Sequence, residues 1–365
     1  MTNRPNERPA DDRSNGEDEP RQSVPAAHDF RSRGAEVPSS SDDSARSRRT
    51  LRFLLAVGAT VAVMALLVHR FGSGLGEAMR SARLDWVAAS FAMATAGVLL
   101  GALRWQVVLE SMHYRLGFGR ALVAVLATWP LVVVTPSRAA DFLRAVAVRR
   151  TVPLAAGTGS VLAEKVVDMS LLLLMAALGA AVEGLWLWAA LTGAALAGLA
   201  LAVTILVVHR GKLARLPWLR SHAEKVEDLF RAFDALFASP GRLVATCVLS
   251  VVIRGLTLAI TFALLRAVGA DVDLFDTCAL WPVATLIGLL PLTLAGMGTR
   301  DATFMYLLAE RGHLLTRVNV LAATMAYSLL NVGAFAVIGL PFMMHALARA
   351  EGSPQADRAP AAPEP

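Results

Sequence analysis

The chain reads TPSRAADFLR at residues 135–144 and LPLTLAGMGTRD at residues 290–301. In both stretches an apolar run reaches a proline, Pro136 or Pro291, and then continues into small residues and charge. A helix that faces lipid cannot expose broken backbone or unpaired charge without a large free-energy cost, because hydrocarbon offers no hydrogen bonds. The two breaks therefore predict a polar cavity inside a bundle of membrane-spanning helices.

The composition is that of a membrane protein. Hydrophobic residues make up 55% of the 365 residues, although the first fifty or so are polar. Several apolar windows reach the roughly 20 residues that are needed to cross a bilayer. The net charge of +6 does not indicate nucleic-acid binding, because the arginines flank apolar spans rather than forming a basic face with aromatic residues. Cys247 and Cys278 show neither metal-ligand nor disulfide spacing.

The hydropathy pattern predicts an all-α polytopic membrane protein with about six full transmembrane helices. These are expected at residues 51–68, 86–103, 154–182, 185–208, 243–268 and 318–347. Two shorter apolar runs, 121–134 and 274–290, precede the prolines, and each is predicted to form one arm of a re-entrant hairpin. The order of these elements is compatible with an inverted pseudo-repeat.

Three regions are expected along the chain. Residues 1–50 contain almost no aliphatic side chains and are predicted to form a disordered cytoplasmic tail. Residues 51–347 form the transmembrane domain, and residues 348–365 form a second disordered tail. Within the domain, the link 209–242 is basic and therefore cytoplasmic, and it contains an amphipathic helix that lies on the membrane surface or against the bundle.

Charge patterning places the N-terminus in the cytoplasm. The basic connection that holds Arg104, Arg115 and Arg120 is expected on the same side. Gly97 and Gly101, one helical turn apart, are expected to let two helices pack closely.

Two acidic side chains in an apolar window need a partner. Glu164 and Asp168 fall on one helical face and would repel each other in a medium of low dielectric constant unless a cation is close. Lys165 points about a quarter-turn away on the same helix and therefore reduces the repulsion between the two carboxylates only in part. The candidate cations are Arg138, Arg144, Arg254 and Arg300. The alternative is that the charges lie near helix ends and only set topology, although short acids cannot reach the interface as arginine can.

The breaks also favour an anionic ligand. A half-helix that begins after a glycine- or proline-containing turn presents free backbone amides and partial positive charge. Together with Arg138 or Arg300, such a helix start would suit the phosphate of a lipid headgroup.

The motifs PSRAADFLR at 136–144, LAEKVVD at 162–168 and GMGTRD at 296–301 carry a family resemblance. On the basis of these three motifs together, the chain resembles the lysylphosphatidylglycerol synthase transmembrane-region family, also called flippase-like. The family usually has Gly-Glu at 140–141, Glu-Arg at 164–165 and Arg-Glu at 300–301, so this chain keeps the charge signs while Ala140 replaces the glycine. Members occur alone or fused to aminoacyl transferase or glycosyltransferase domains. The link 209–242 is too short for such a domain, so the resemblance implies the lipid-handling part without the synthase.

We therefore expect a multi-pass protein of a bacterial-type inner membrane that moves a polar- or anionic-headgroup lipid between leaflets. The lipid would be a phospholipid or a polyprenyl-linked one. The predicted headgroup cavity comprises Arg138, Asp141, Arg144, Glu164, Lys165, Asp168, Arg254, Arg300 and Asp301, with backbone breaks at Pro136, Pro291, Gly296 and Gly298. No catalytic residue, cofactor, metal or nucleic acid is expected.

Two other functions remain open from the sequence. One is a membrane-embedded transferase that uses Asp141 or Glu164 as its base. The other is an accessory subunit of a separately encoded transferase.

Overall fold

The computed structural model describes residues 69, 74–134, 140–209, 223–290, 292–293, 296–310 and 317–351. Within these ranges the chain is helical with no β-strand, which confirms the all-α prediction. The predicted span 51–68 and the predicted tail 1–50 lie outside the described residues, and so do 352–365. Pro136, Arg138 and Pro291 lie outside them as well. Residues 348–351, which were predicted to begin the second disordered tail, are helical instead.

The described α-helices follow a helical stretch at residues 74–80. In chain order they are α1 (Leu84–Ser111), α2 (Phe118–Leu126), α3 (Trp129–Val134), α4 (Leu143–Ala147), α5 (Leu154–Val182), α6 (Trp186–Val208), α7 (Ala223–Phe237), α8 (Pro240–Ala267), α9 (Leu274–Gly288), α10 (Thr299–Glu310), α11 (Arg317–Ser328) and α12 (Phe335–Glu351). A π-helical segment, Leu329–Ala334, joins α11 to α12.

Five helical stretches are long and apolar enough to cross a membrane. They are α1, α5, α6, α8 and the continuous stretch Arg317–Ala346. These agree with five of the predicted spans, and α5 has the predicted bounds. The first of them differs at its end, because α1 continues to Ser111 instead of stopping at residue 103. Arg104 is therefore inside a spanning helix, and its prediction as a loop residue was wrong.

The two proline-terminated runs form short helices. Residues 121–134 divide into α2 and α3, separated at Ala127 and Thr128. The second run forms α9, which packs against α10 beyond the break. Gly296, within that break, has a φ of +73° and lies so close to Gly288 that an added Cβ would sit 2.6 Å from the Gly288 carbonyl oxygen. The chain can thus return tightly over the end of α9 because glycine occupies this position.

The amphipathic helix of the link is α7. Its apolar side chains Phe230, Phe233 and Leu236 are buried in a cluster with Ala163 of α5. The helix lies against the bundle, as one of the two predicted placements requires.

The bundle positions the site through two sets of contacts. Helices α1 and α8 pack along each other, and α5 packs against α6, α7 and α9. Trp281 of α9 makes edge contacts with the rings of Phe304 and Tyr327, at centroid distances of 5.0 and 5.1 Å. These aromatic contacts fix α9, α10 and α11 around one side of a central cavity.

Candidate functional site

A cavity of about 210 Å³ lies between α1, α5, α8, α9 and the π-helical segment. Eight acidic or basic side chains line it: Arg104, Asp141, Arg144, Glu164, Lys165, Asp168, Arg254 and Arg300. Asp168 lies at the middle of α5, and Arg254 lies at the middle of α8. Since both helices are long enough to cross a bilayer, these two charges belong to the centre of their spans rather than to the ends.

Four of these side chains form a continuous chain of ion pairs. Arg104 bonds Asp168, with Nη2 3.1 Å from Oδ2, and its guanidinium also donates to Glu164. Arg144 Nη2 donates to Glu164 Oε2 at 2.8 Å. Each of the four is at most 8% exposed. Because buried ions persist only when paired and hydrogen-bonded, the alternating order of charges is what keeps both carboxylates and both arginines inside the bundle.

Neutral side chains hold the two arginines in place. Arg104 Nη1 donates to Ser250 Oγ of α8 at 2.8 Å. The guanidinium of Arg144 lies over the ring of Trp105, 5.0 Å from its centroid, and Trp105 Nε1 donates to Ser160 Oγ at 3.0 Å. Contacts from three helices thus fix the arginine orientation.

A second, more accessible ion pair joins Lys165 to Asp141. The exposed fractions of the two side chains are 23% and 17%, well above those of the buried network. Lys165 follows Glu164 on α5 and so points about 100° around the helix from it. This rotation separates the Lys165 pair from the Arg104 network on the same helix.

Arg300 of α10 also lines the cavity. Its Nε and Nη2 donate to Asp301 Oδ1 at 3.0 and 2.8 Å, and Nη2 also donates to Ser328 Oγ at 2.7 Å. Its guanidinium lies 4.7 Å from the ring centroid of Tyr327. Asp301 also accepts a hydrogen bond from the backbone N–H of Gly298 at 3.1 Å. Asp301 does not line the cavity; it positions the guanidinium of Arg300, which does.

The rest of the lining is apolar and small. Ala94, Gly97, Val98 and Gly101 form one face of α1 that leads to Arg104. A Cβ added at either glycine would meet nothing within 4 Å. The expectation that these glycines bring two helices together was therefore wrong: the missing side chains leave open space instead.

The structure gathers most of the predicted site residues. Asp141, Arg144, Glu164, Lys165, Asp168, Arg254, Arg300 and Gly296 all line the cavity, while Asp301 and Gly298 support Arg300. The cations that balance Glu164 and Asp168 are now identified: Arg104 contacts both carboxylates, and Arg144 contacts Glu164.

Arg104 and Asn331 are among the polar cavity residues that sequence reasoning missed. Arg104 was assigned to a loop, although Trp105, Val108 and Leu109 continue an apolar helical pattern past it. Asn331 lies in the π-helical segment, and its Nδ2 is buried with no hydrogen-bond partner among the described residues. Short π-helical segments frequently occur at functional sites, but the sequence pattern did not predict this one.

The described residues contain no group of three or more His, Cys, Asp or Glu side chains that could hold a metal ion. The chemistry of the cavity is therefore that of arginine, lysine, carboxylate and amide groups. Such a set can bind charged groups by charge-assisted hydrogen bonds.

The chain matches a known protein family. The family described as "Lysylphosphatidylglycerol synthase TM region" matches residues 51–339. No curated protein matches the chain.

Proposed function

Because the chain belongs to the lysylphosphatidylglycerol synthase transmembrane-region family, it is a multi-pass membrane protein with a lipid-related role, and we propose that it moves an anionic lipid between leaflets. The headgroup would pass through the central cavity. The observation that carries the proposal is the set of ionisable groups gathered there by helices that are otherwise apolar.

The charge balance of the cavity favours an anionic guest. Among the described residues, five cationic side chains line it, against three carboxylates and the supporting carboxylate of Asp301. An excess of positive charge inside a membrane protein is costly unless an anion compensates it. A lipid phosphate would supply that anion.

Unused hydrogen-bond donors support the same guest. Arg104 Nε, Arg144 Nε and Asn331 Nδ2 are buried and have no hydrogen-bond partner among the described residues. Buried donors are normally paired, so a cavity whose lining residues keep several unused ones is suited to a ligand that is rich in acceptors. The oxygens of a phosphodiester are such acceptors.

The apolar face of α1 would accommodate the rest of the lipid. It faces Ile253, Leu256 and Ile260 of α8, which line the same cavity. An acyl chain could run along this surface while the headgroup stays among the arginines. The two glycines of α1 provide the room.

The proposal assigns no catalytic step to this chain. A transferase would need Asp141 or Glu164 as its base, but Asp141 pairs with Lys165 and Glu164 pairs with two arginines. Because both carboxylates are already engaged by cationic side chains, they are better suited to position cations than to act as a general base.

The test is translocation by the purified full chain in vesicles. Phosphatidylcholine vesicles would contain a trace of phosphatidylglycerol or phosphatidylcholine that carries a dithionite-sensitive fluorophore on its acyl chain. Dithionite added outside the vesicles would destroy only the fluorophores in the outer leaflet, so the loss of fluorescence measures exposure. We expect the protein to expose inner-leaflet phosphatidylglycerol faster than phosphatidylcholine. Exposure of neither lipid beyond protein-free vesicles would contradict the proposal.

A further inference from the structure

A second cavity, of about 640 Å³, lies on the other side of α4 from the central one. Arg144 of α4 lines the central cavity, whereas Val146 and Ala147 of the same helix line the second. The second cavity is bounded by α2, by the turn after α4 and by α12. We refer to it as the basic pocket.

Three arginines dominate the polar lining of the basic pocket, beside Thr151 and His345. Arg120 comes from α2, Arg149 and Arg150 follow α4, and His345 comes from α12. No acidic side chain occurs among the described residues that line it. Three arginines that converge from two segments on one cavity produce a local positive potential that attracts anions.

The floor of the basic pocket is apolar. Leu116, Ala124 and Val148 line it and are each at most 6% exposed. Phe118 of α2, which precedes the lining residue Gly119, is a large apolar side chain that is 41% exposed. In a membrane protein such a surface faces hydrocarbon, so the occupant must itself have an apolar part.

We infer that the basic pocket binds an anionic phospholipid, with the phosphate at Arg120, Arg149 and Arg150 and an acyl chain over Leu116 and Val148. Basic pockets between membrane helices bind acidic lipid headgroups by this combination of charge and apolar contact. The site is separate from the proposed translocation path, since α4 lies between the two cavities. A binding measurement therefore tests it independently of transport.

The test uses the detergent-solubilised full chain and phosphatidylglycerol with a photoreactive acyl chain. Crosslinks mapped by mass spectrometry are expected at residues 116–124 and 146–151. Unlabelled phosphatidylglycerol should displace the probe, whereas phosphatidylcholine and inorganic phosphate should not. The variant Arg120→Gln/Arg149→Gln/Arg150→Gln should need about a hundredfold higher probe concentration than the parent protein to reach the same extent of labelling, because three charge contacts with the phosphate are lost.

Arg115→Gln is the matched control. Arg115 is an exposed arginine that precedes α2 in the sequence and does not line the basic pocket. Its loss should leave labelling unchanged. Equal loss in Arg115→Gln would show a general effect of surface charge and overturn the inference. Full competition by inorganic phosphate would overturn the lipid assignment in favour of a soluble phosphate ligand, and full labelling in the triple variant would overturn the site.

Discussion

Arg104 and Asp168, which are 64 residues apart in the sequence, are joined by two hydrogen bonds between membrane-spanning helices α1 and α5. The same guanidinium also bonds Glu164. One arginine thus neutralises two carboxylates that would otherwise repel each other in the interior of the bundle. The bundle is held together here by charge as well as by apolar packing.

We first predict that Arg104→Gln lowers the free energy of unfolding by about 3–5 kcal/mol, because removing one partner leaves buried charge without compensation. Thermal unfolding of the purified protein in detergent would measure the loss. Arg83→Gln is the control, since Arg83 pairs with Asp85 at the surface and both side chains are more than 60% exposed. The control should unfold like the parent protein. An equal loss of thermal stability in Arg104→Gln and Arg83→Gln would contradict the structural role of the buried network.

The open space beside Gly101 leads to a second prediction. Gly101→Leu should place an apolar side chain in the cavity, since a Cβ at this position meets nothing within 4 Å. We expect the variant to be as stable as the parent or more so, since leucine favours helix over glycine by about 0.5–1 kcal/mol. Lipid translocation in vesicles should nevertheless fall sharply.

Gly193→Leu provides the matched control for that variant. Gly193 lies on α6, outside the cavity lining, and its added Cβ also meets nothing within 4 Å. Translocation by the control should be normal. Normal translocation by Gly101→Leu as well would show that the cavity is not the path.

The docking of α7 supplies a third prediction. Phe233 is 3% exposed against α5, whereas Phe237, one turn later on the same helix, is 52% exposed. Phe233→Ala should lower the free energy of unfolding by about 3–5 kcal/mol, and Phe237→Ala should change it little. Chemical denaturation of the two variants in the same detergent would compare them. Equal changes in the free energy of unfolding would indicate that α7 does not pack against the bundle.

The break between α9 and α10 supplies a fourth prediction. Gly296→Ala should be more destabilising than Gly269→Ala, although both glycines have positive φ, of 73° and 68°. The reason is contact: an added Cβ at Gly296 would lie 2.6 Å from a carbonyl oxygen, whereas at Gly269 it would meet nothing within 4 Å. Melting temperatures of the two variants would measure the difference. Equal losses would indicate that backbone strain alone decides both.

Much of the fold was predictable because hydropathy depends only on local sequence. The bounds of α5 were obtained directly, and the need of Glu164 and Asp168 for a cation followed from their spacing on one helix. The family resemblance drawn from the motifs was confirmed by the match over residues 51–339.

The identity of the partner cation was not predictable in the same way. Arg104 follows the end of the most apolar part of α1, and only its contacts with α5 and α8 show that the helix continues through it. Gly97 and Gly101 illustrate the same limit. A step of small residues predicts either close packing or open space, and only the position of the neighbouring helices decides between them.

The most direct test of translocation through the cavity is the vesicle assay with variants of Arg254. Arg254 lies at the middle of α8, lines the cavity and interacts electrostatically with Asp168, whose hydrogen bonds to Arg104 do not involve Arg254. We predict that Arg254→Gln folds normally but loses phosphatidylglycerol translocation, and that Arg254→Lys, which keeps the charge, retains part of it. Translocation by Arg254→Gln at the rate of the parent protein would contradict a headgroup path through this cavity.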